Sequence, residues 1–461
     1  MDSRGARWRR IALTSVLAFV TMLILCIAAL TAAYALPHGR IASHVSESLK
    51  VYQAEGDYPN ATPNVPGGAR DNFTEAIMLT MAIYPSDHPF HDAFESPRLG
   101  GDPQAKGYSM RVDNLAYAVA HVTDSDYVDT ASSYARYWHG YLVVLRPLLL
   151  LLNPVEIRYA CGAILAALGA ITAAMLWRRC GAGISVAYIA GLIVLNPPAV
   201  MLNYQYYPVT LCALVGVFIV CGWYERLEKH NGWIPLFLLL GAGVAFTDLL
   251  TFPVLALGMP LLVYAVISAQ KRARLQNSEG SKTTGEQRWA VIVQLVTKSC
   301  AWAIGYIGFW AMKWVLAALI AGHPMSDVGH YVLFRLDSTG RGEDLEKRYS
   351  FTRFQGIENN LHQINNSAFW SIIVISLVIL GVLLLIRVVK VTRPSGDWID
   401  RVSLLMIAAY PFVWYAVILN HSAIHSFFTY RSLGVTLFAL YALASSYFTS
   451  VQSPEQVEAS V

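Results

Sequence analysis

The chain alternates long apolar blocks with polar stretches, and most of the blocks have the length of membrane-crossing helices. A hydrocarbon core of roughly 30 Å takes about 20 helical residues to cross. Blocks of that order lie near residues 11–36, 157–177, 184–203, 207–224, 233–250, 252–269, 296–321, 369–388, 402–419 and 432–449. The pattern predicts an all-α polytopic membrane protein with about ten transmembrane helices. One further apolar stretch, 139–152, is left out of the count. It is short, carries Arg146-Pro147 in its middle, and as a span would carry Arg178 and Arg179 to the outside. It reads as an interfacial helix lying on the outer surface.

The polar stretches divide the chain. Residues 1–10 form a basic N-terminus, 11–36 a first span, 37–153 a large outer loop, 154–449 the bundle with a second outer loop at 322–368, and 450–461 a tail. The large loop is rich in Asp, Asn, Ser, Gly and Pro, with more acids than bases; helices are expected at 72–83 and 115–121. Residues 270–288 read as a flexible inner connector. No repeat recurs at a fixed spacing.

Charge fixes the orientation, because cytoplasmic loops carry the excess of Lys and Arg. The segments that would face inward hold Arg178 and Arg179, Arg226 and Lys229, Lys271 to Arg288, and Arg387 to Arg401, while the short turns near Asn203 and Asp248 hold none. Both termini are therefore expected in the cytoplasm. Arg4, Arg7, Arg9 and Arg10 precede the first block, which is too long for a cleaved signal and reads as a retained anchor.

Composition adds what is excluded. Apolar residues make up 55% and charged residues 14%, with mean hydropathy +0.44, which disfavours a soluble domain. The net charge of +4 gives no footprint for nucleic acid. The six cysteines (Cys26, Cys161, Cys180, Cys212, Cys221, Cys300) lie in or beside apolar blocks without a CxxC pair, so neither a disulfide framework nor a zinc site is expected. No phosphate-binding glycine motif is present. Chemistry on the outer face then requires an activated donor already in the membrane.

Three places carry candidate chemistry. Asp71 precedes the helix beginning at Asn72, where Asn72 as N-cap and Glu75 as its N3 partner would make a capping box and leave Asp71 outside. The last turn, Asn420 to Arg431, holds His421 and His425 four residues apart, then Tyr430 and Arg431. The histidine spacing suits a metal pair, but no third ligand is evident; Arg431 suits a phosphate, for which a guanidinium offers a bidentate fork. An interfacial anchor made by Tyr430 and a snorkelling Arg431 is the plainer reading. Lys313 lies within an apolar stretch, where a charge marks a functional site by default. Asp248 and Arg335 are the other outer-side charges near the membrane, and Lys298 is expected to snorkel inward.

The anchor, the acidic outer loop with Asp71, the Asp-x-x-x-Glu-Ala-Ile-Met run, and Leu145-Arg146-Pro147 leading through Ile157-Arg158 into the second span resemble the GT-C superfamily of integral-membrane glycosyltransferases. The segments Lys313-Trp314, Phe334-Arg335 and Asn420 to Arg431 are similar to a largely uncharacterised bacterial group of this architecture. The resemblance implies a polyprenyl-phosphate sugar as donor, a surface glycan or other hydroxyl acceptor, and a bacterial cytoplasmic membrane. It also implies an acid of the first outer loop as base: Asp71, with Asp57, Glu75 and Asp113 as competitors. Lys313, Arg335, His421, His425, Tyr430 and Arg431 would hold the lipid phosphate. No cofactor is implied, and a divalent cation is the one addition such phosphate chemistry accommodates. The base would take the acceptor's proton as its oxygen attacks the anomeric carbon, while cations stabilise the leaving phosphate. The alternatives are a lipid-linked glycan transporter or flippase, whose usual inverted repeats and broken helices are not legible here, and a non-catalytic scaffold.

Overall fold

The structure, a computed structural model, describes residues 3–62, 65, 67–104, 109–279, 284–323, 339–341, 348–352, 354–365 and 397–448. The expected span 369–388, the C-terminal tail and Arg335 lie outside the described residues. Among the described residues six helices are long and apolar enough to cross a membrane: Gly5–Tyr34, Pro154–Cys180, Tyr207–Lys229, Val254–Gln276, Gly285–Ile320 and Ser426–Ser446. The protein is a helical integral membrane protein.

Two expected spans are interrupted. The block at 184–203 forms Ala182–Val194, then breaks, then a short helix Pro197–Met201. Asn196 stands at the break with φ of 57°, a left-handed geometry that asparagine tolerates, and Pro197-Pro198 cannot continue the preceding ladder. The block at 402–419 is split into Trp398–Ala408 and Tyr410–Val417, with Pro411 in the first turn of the second piece. The ring of Pro411 would collide with the carbonyl four residues back. The chain then turns through Leu419–Ile424 and Ser426–Thr429 into Leu433–Phe448.

The inner connector is much shorter than 270–288. Helix Val254–Glu279 runs on past the apolar block, and Gly285–Ile320 starts early, on a capping box between Thr284 and Gln287. Helix Leu142–Leu149 has eight residues, so it rises about 12 Å and cannot cross a bilayer. Arg146 on it is fully buried and donates to the carbonyls of Tyr34, Leu36 and Tyr84, pinning the end of the first helix to the following loop.

The first long loop is built rather than loose. Its helices are His38–Glu55, Asn72–Ala82, Pro89–Glu95, Arg111–His121 and Ser125–Val128. The first of these is absent from the sequence reading, although Ile41, Val45 and Tyr52 repeat at helical spacing and are its buried face. The bundle is closely packed where small residues allow it. A Cβ on Gly241 would stand 2.0 Å from the Trp302 carbonyl oxygen, and one on Gly305 2.0 Å from that of Leu238. Helices Trp233–Thr247 and Gly285–Ile320 therefore cross backbone to backbone, the packing that small residues permit in membranes.

Candidate functional site

Asp71, not Asn72, caps the helix Asn72–Ala82. Its carboxylate accepts from the Thr74 backbone N–H at 2.8 Å and from Thr74 Oγ1 at 2.9 Å. Asn72 instead reaches back, donating to Glu55 Oε2 at 3.0 Å and to the Gly56 carbonyl at 2.9 Å. The capping box expected of Asn72 and Glu75 is not formed, because Glu75 is taken by stronger partners.

Glu75 is fully buried. It accepts from Arg158 Nη2 at 2.6 Å and Nε at 3.0 Å, from Tyr52 at 2.8 Å, and from the Tyr204 backbone N–H at 2.5 Å. Arg158 also pairs with Glu55 at 2.9 Å, donates to Asn72 Oδ1 at 2.8 Å and lies 4.2 Å over the Tyr52 ring. Burial works to raise the Glu55 carboxyl, but the hydrogen bond from Arg70 and the charge of Arg158 outweigh it and hold it below the ordinary range. A carboxylate with four donors has little acceptor capacity left for a substrate proton. Glu75 fastens three segments together: the first loop, the helix Pro154–Cys180 and the stretch 203–206.

Asp71 differs. It is 2% exposed, and no cation lies within ion-pair distance among the described residues. Burial pushes its carboxyl up to about 7 against the lowering effect of the Thr74 bonds. Of its competitors, Asp57 accepts from the backbone N–H groups of Arg111 and Val112 at 3.1 Å each, at the start of the helix Arg111–His121, and Asp113 sits in that helix's first turn.

The last turn lies against the segment that leads to Asp71. The Gly67 carbonyl accepts from the Tyr430 hydroxyl at 3.0 Å and from Arg431 Nη2 at 3.0 Å. Gly67 has φ of 71°, and a Cβ there would stand 2.4 Å from the Tyr430 ring. Arg431 is fully buried, and it also donates to the carbonyls of Leu195 at 2.8 Å and Phe427 at 3.0 Å. The Leu195 carbonyl is one released by the helix break at Asn196. Arg431 forms no ion pair with a described carboxylate, and its guanidinium lies 4.1 Å over the Tyr206 ring.

His421 and His425 sit beside this joint with ring centroids 4.7 Å apart. His421 Nε2 donates to the Leu250 carbonyl at 2.5 Å, and His425 stacks on Phe428. Leu250 holds φ of 64°, in a turn that Asp248 organises by accepting from Thr251 N at 2.9 Å and Oγ1 at 2.5 Å. Among the described residues no third His, Cys, Asp or Glu completes a metal-holding group.

Lys313 does not join the last turn. Its ammonium is buried and donates to the carbonyls of Ala93 at 3.1 Å and Phe94 at 2.9 Å and to Ser96 Oγ at 3.0 Å. These contacts close the C-terminal end of Pro89–Glu95 and employ all three protons of the amine. Nearby His139 is buried between Tyr134 and Tyr141, and burial pushes its ring down to about 3, so it stands neutral. Lys298 is not a snorkelling cation either: it is 1% exposed, bonded to Gln294 Oε1 at 2.7 Å and lying 4.0 Å over the Tyr264 ring.

Two of the three candidate places thus meet, the Asp71 segment and the last turn, and Lys313 holds a separate joint. Arg158 enters the sequence reading only within the Ile157-Arg158 run, with no role given to it, and Tyr206 is missed. Both lie at helix ends beside Pro residues, and their partners are remote in sequence. No protein-family model, curated protein or solved structure matches this chain.

Proposed function

We propose that the protein is a membrane glycosyltransferase of the GT-C kind, moving a sugar from a polyprenyl-phosphate donor to a hydroxyl of a cell-envelope acceptor on the outer face. The reading includes the ten-span topology with both termini in the cytoplasm and the interfacial position of 139–152. The observation that carries it is the Gly67 joint, which holds the segment of Asp71, a buried carboxylate with no ion-pair partner among the described residues, against Arg431, a buried guanidinium that likewise has none and lies over the Tyr206 ring. Such a pair suits a reaction in which a proton leaves one reactant and negative charge grows on the other. Asp71 acts as the base. Arg431, with two N–H groups beyond its three carbonyl bonds, faces the departing phosphate. His421, His425, Tyr430 and Arg335 are assigned to the same phosphate end.

The lipid-linked glycan transporter is favoured by a different observation, the two interrupted helices at Asn196 and Ala409, a feature of proteins that bind substrate in mid-membrane. Proteoliposomes carrying the full chain, labelled prenyl-phosphate hexose and an envelope extract as acceptor separate the two. The transferase releases prenyl phosphate and labels the acceptor. Movement of intact donor between leaflets without cleavage would instead establish the transporter.

A further inference from the structure

Residues 203–206 connect the short helix Pro197–Met201 to the span Tyr207–Lys229, and their two sets of polar groups are treated in opposite ways. One set is fastened. The Tyr204 N–H donates to Glu75, the Tyr204 hydroxyl donates to the Pro154 carbonyl, and the Gln205 N–H donates to Asn203 Oδ1 at 3.1 Å. The Tyr206 carbonyl accepts from Thr210 Oγ1 at 2.7 Å. The backbone is therefore fixed to the Glu75–Arg158 ion pair.

The other set has no partner among the described residues. Asn203 Nδ2, Gln205 Oε1 and the Tyr206 hydroxyl are all buried and bonded to none of them. Asn203 is 2% exposed, Gln205 4% and Tyr206 fully buried. A buried donor or acceptor left unmade costs about 1–3 kcal/mol, so three on one rigid stretch are expensive to retain without a use. They also lie beside the phosphate end of the proposed chemistry, since the ring of Tyr206 carries the Arg431 guanidinium.

We propose that residues 203–206 read the hydroxyl groups of a sugar ring, with Asn203, Gln205 and Tyr206 supplying the contacts. This rests on the transferase reading and adds its sugar end. The donor and acceptor types decide the ligand class. Asn203 Nδ2 can only donate, Gln205 Oε1 can only accept, and a phenol does both. A phosphate would satisfy the donors but be repelled by the Gln205 oxygen. A hydroxyl satisfies all three, because it donates and accepts at once. The apolar faces of Phe252 and Phe428, at 6.0 and 6.3 Å from the Tyr206 ring, complete a site in which only the hydroxyls need partners.

The test is ligand-induced thermal stabilisation of the full chain in detergent, with prenyl-phosphate hexose, sugar-free prenyl phosphate and a panel of methyl hexosides as probes. Tyr206→Phe, Gln205→Met and Asn203→Leu are compared with the parent. Tyr206→Phe and Gln205→Met remove unpaired polar atoms, so their unliganded melting temperatures should stay level or rise, which a structural role for these groups would not allow; Asn203→Leu also removes the Oδ1 that accepts the Gln205 N–H and is read by its ligand response alone. The parent should respond more strongly to the sugar-bearing lipid than to the sugar-free one. That difference should shrink about tenfold in apparent affinity in each variant. Equal response of the parent to both lipids overturns the sugar-reading role and leaves the phosphate end standing. A response to methyl hexosides that the variants lose, with none to either lipid, keeps the sugar site and removes the lipid donor. A parent indifferent to every hydroxylated probe, or variants that respond as the parent does, overturns the inference.

Discussion

Asp71 and Glu75 lie four positions apart on one short helix, and burial alone does not separate them: both are essentially enclosed. Partners do. Glu75 has an arginine, a tyrosine and a backbone N–H, while Asp71, among the described residues, has Thr74. The consequence for Asp71 can be signed. Its carboxyl is raised from the ordinary 3.8 to about 7 in the folded chain. The stability this contributes is complete below about pH 4 and is lost as pH rises toward 7. The melting temperature of the parent should therefore fall over that window relative to Asp71→Asn, which keeps a side-chain oxygen for the cap. Calorimetry between pH 4 and 8 checks it. Sugar transfer should run the other way and rise through an inflection near pH 7, since a base must be ionised. Glu75→Gln should behave unlike Asp71→Asn. It leaves buried Arg158 with Glu55 as its one carboxylate partner among the described residues, and since breaking one side of a buried pair costs up to about 3–5 kcal/mol, equilibrium unfolding should show a clear loss of stability at every pH. Asp71 was visible in the sequence as an acid before a helix. Its role as the cap was not, because Asn72 is an equally good cap by residue type and only the competing pull of Glu55 and Gly56 on Asn72 decides between them.

At the scale of elements, long apolar helices were legible because twenty apolar residues in a row have few other stable fates. The interruptions at Asn196 and Ala409 were less so. The prolines were in view, but whether a proline kinks a span or ends it depends on who takes the freed carbonyls. Here Arg431, more than two hundred positions away, takes that of Leu195. Helix His38–Glu55 was overlooked because its buried face is narrow and its opening residues, His38 and Gly39, carry no capping signal. The joint between the last turn and the first loop hangs on Gly67. Gly67→Ala forces a side chain into the Tyr430 ring and into a left-handed backbone position. Its expected result is a protein that folds, because the bundle does not pass through Gly67, but has lost most of its transfer activity. Turnover alongside a melting curve tests this. A variant with full activity would mean that the joint is not part of the site.

Across the molecule as a whole, these buried charges are of two kinds. Arg146, Arg158 and Lys313 tie the first loop to the bundle through carbonyls and carboxylates that are already satisfied. Asp71 and Arg431 are buried and have no ion-pair partner among the described residues, the first contributed by the loop and the second by the last turn. The sequence presented these two charges as separate candidates some 360 positions apart; the return of the last turn onto Gly67 brings their segments together. The central claim is that they work as one site. A double-mutant cycle on Asp71→Asn and Arg431→Lys, read as turnover of labelled prenyl-phosphate hexose in proteoliposomes, measures that directly. If they act as a unit, the double variant should be scarcely slower than the worse single one. Losses that multiply independently, each variant keeping its fold, would contradict the claim.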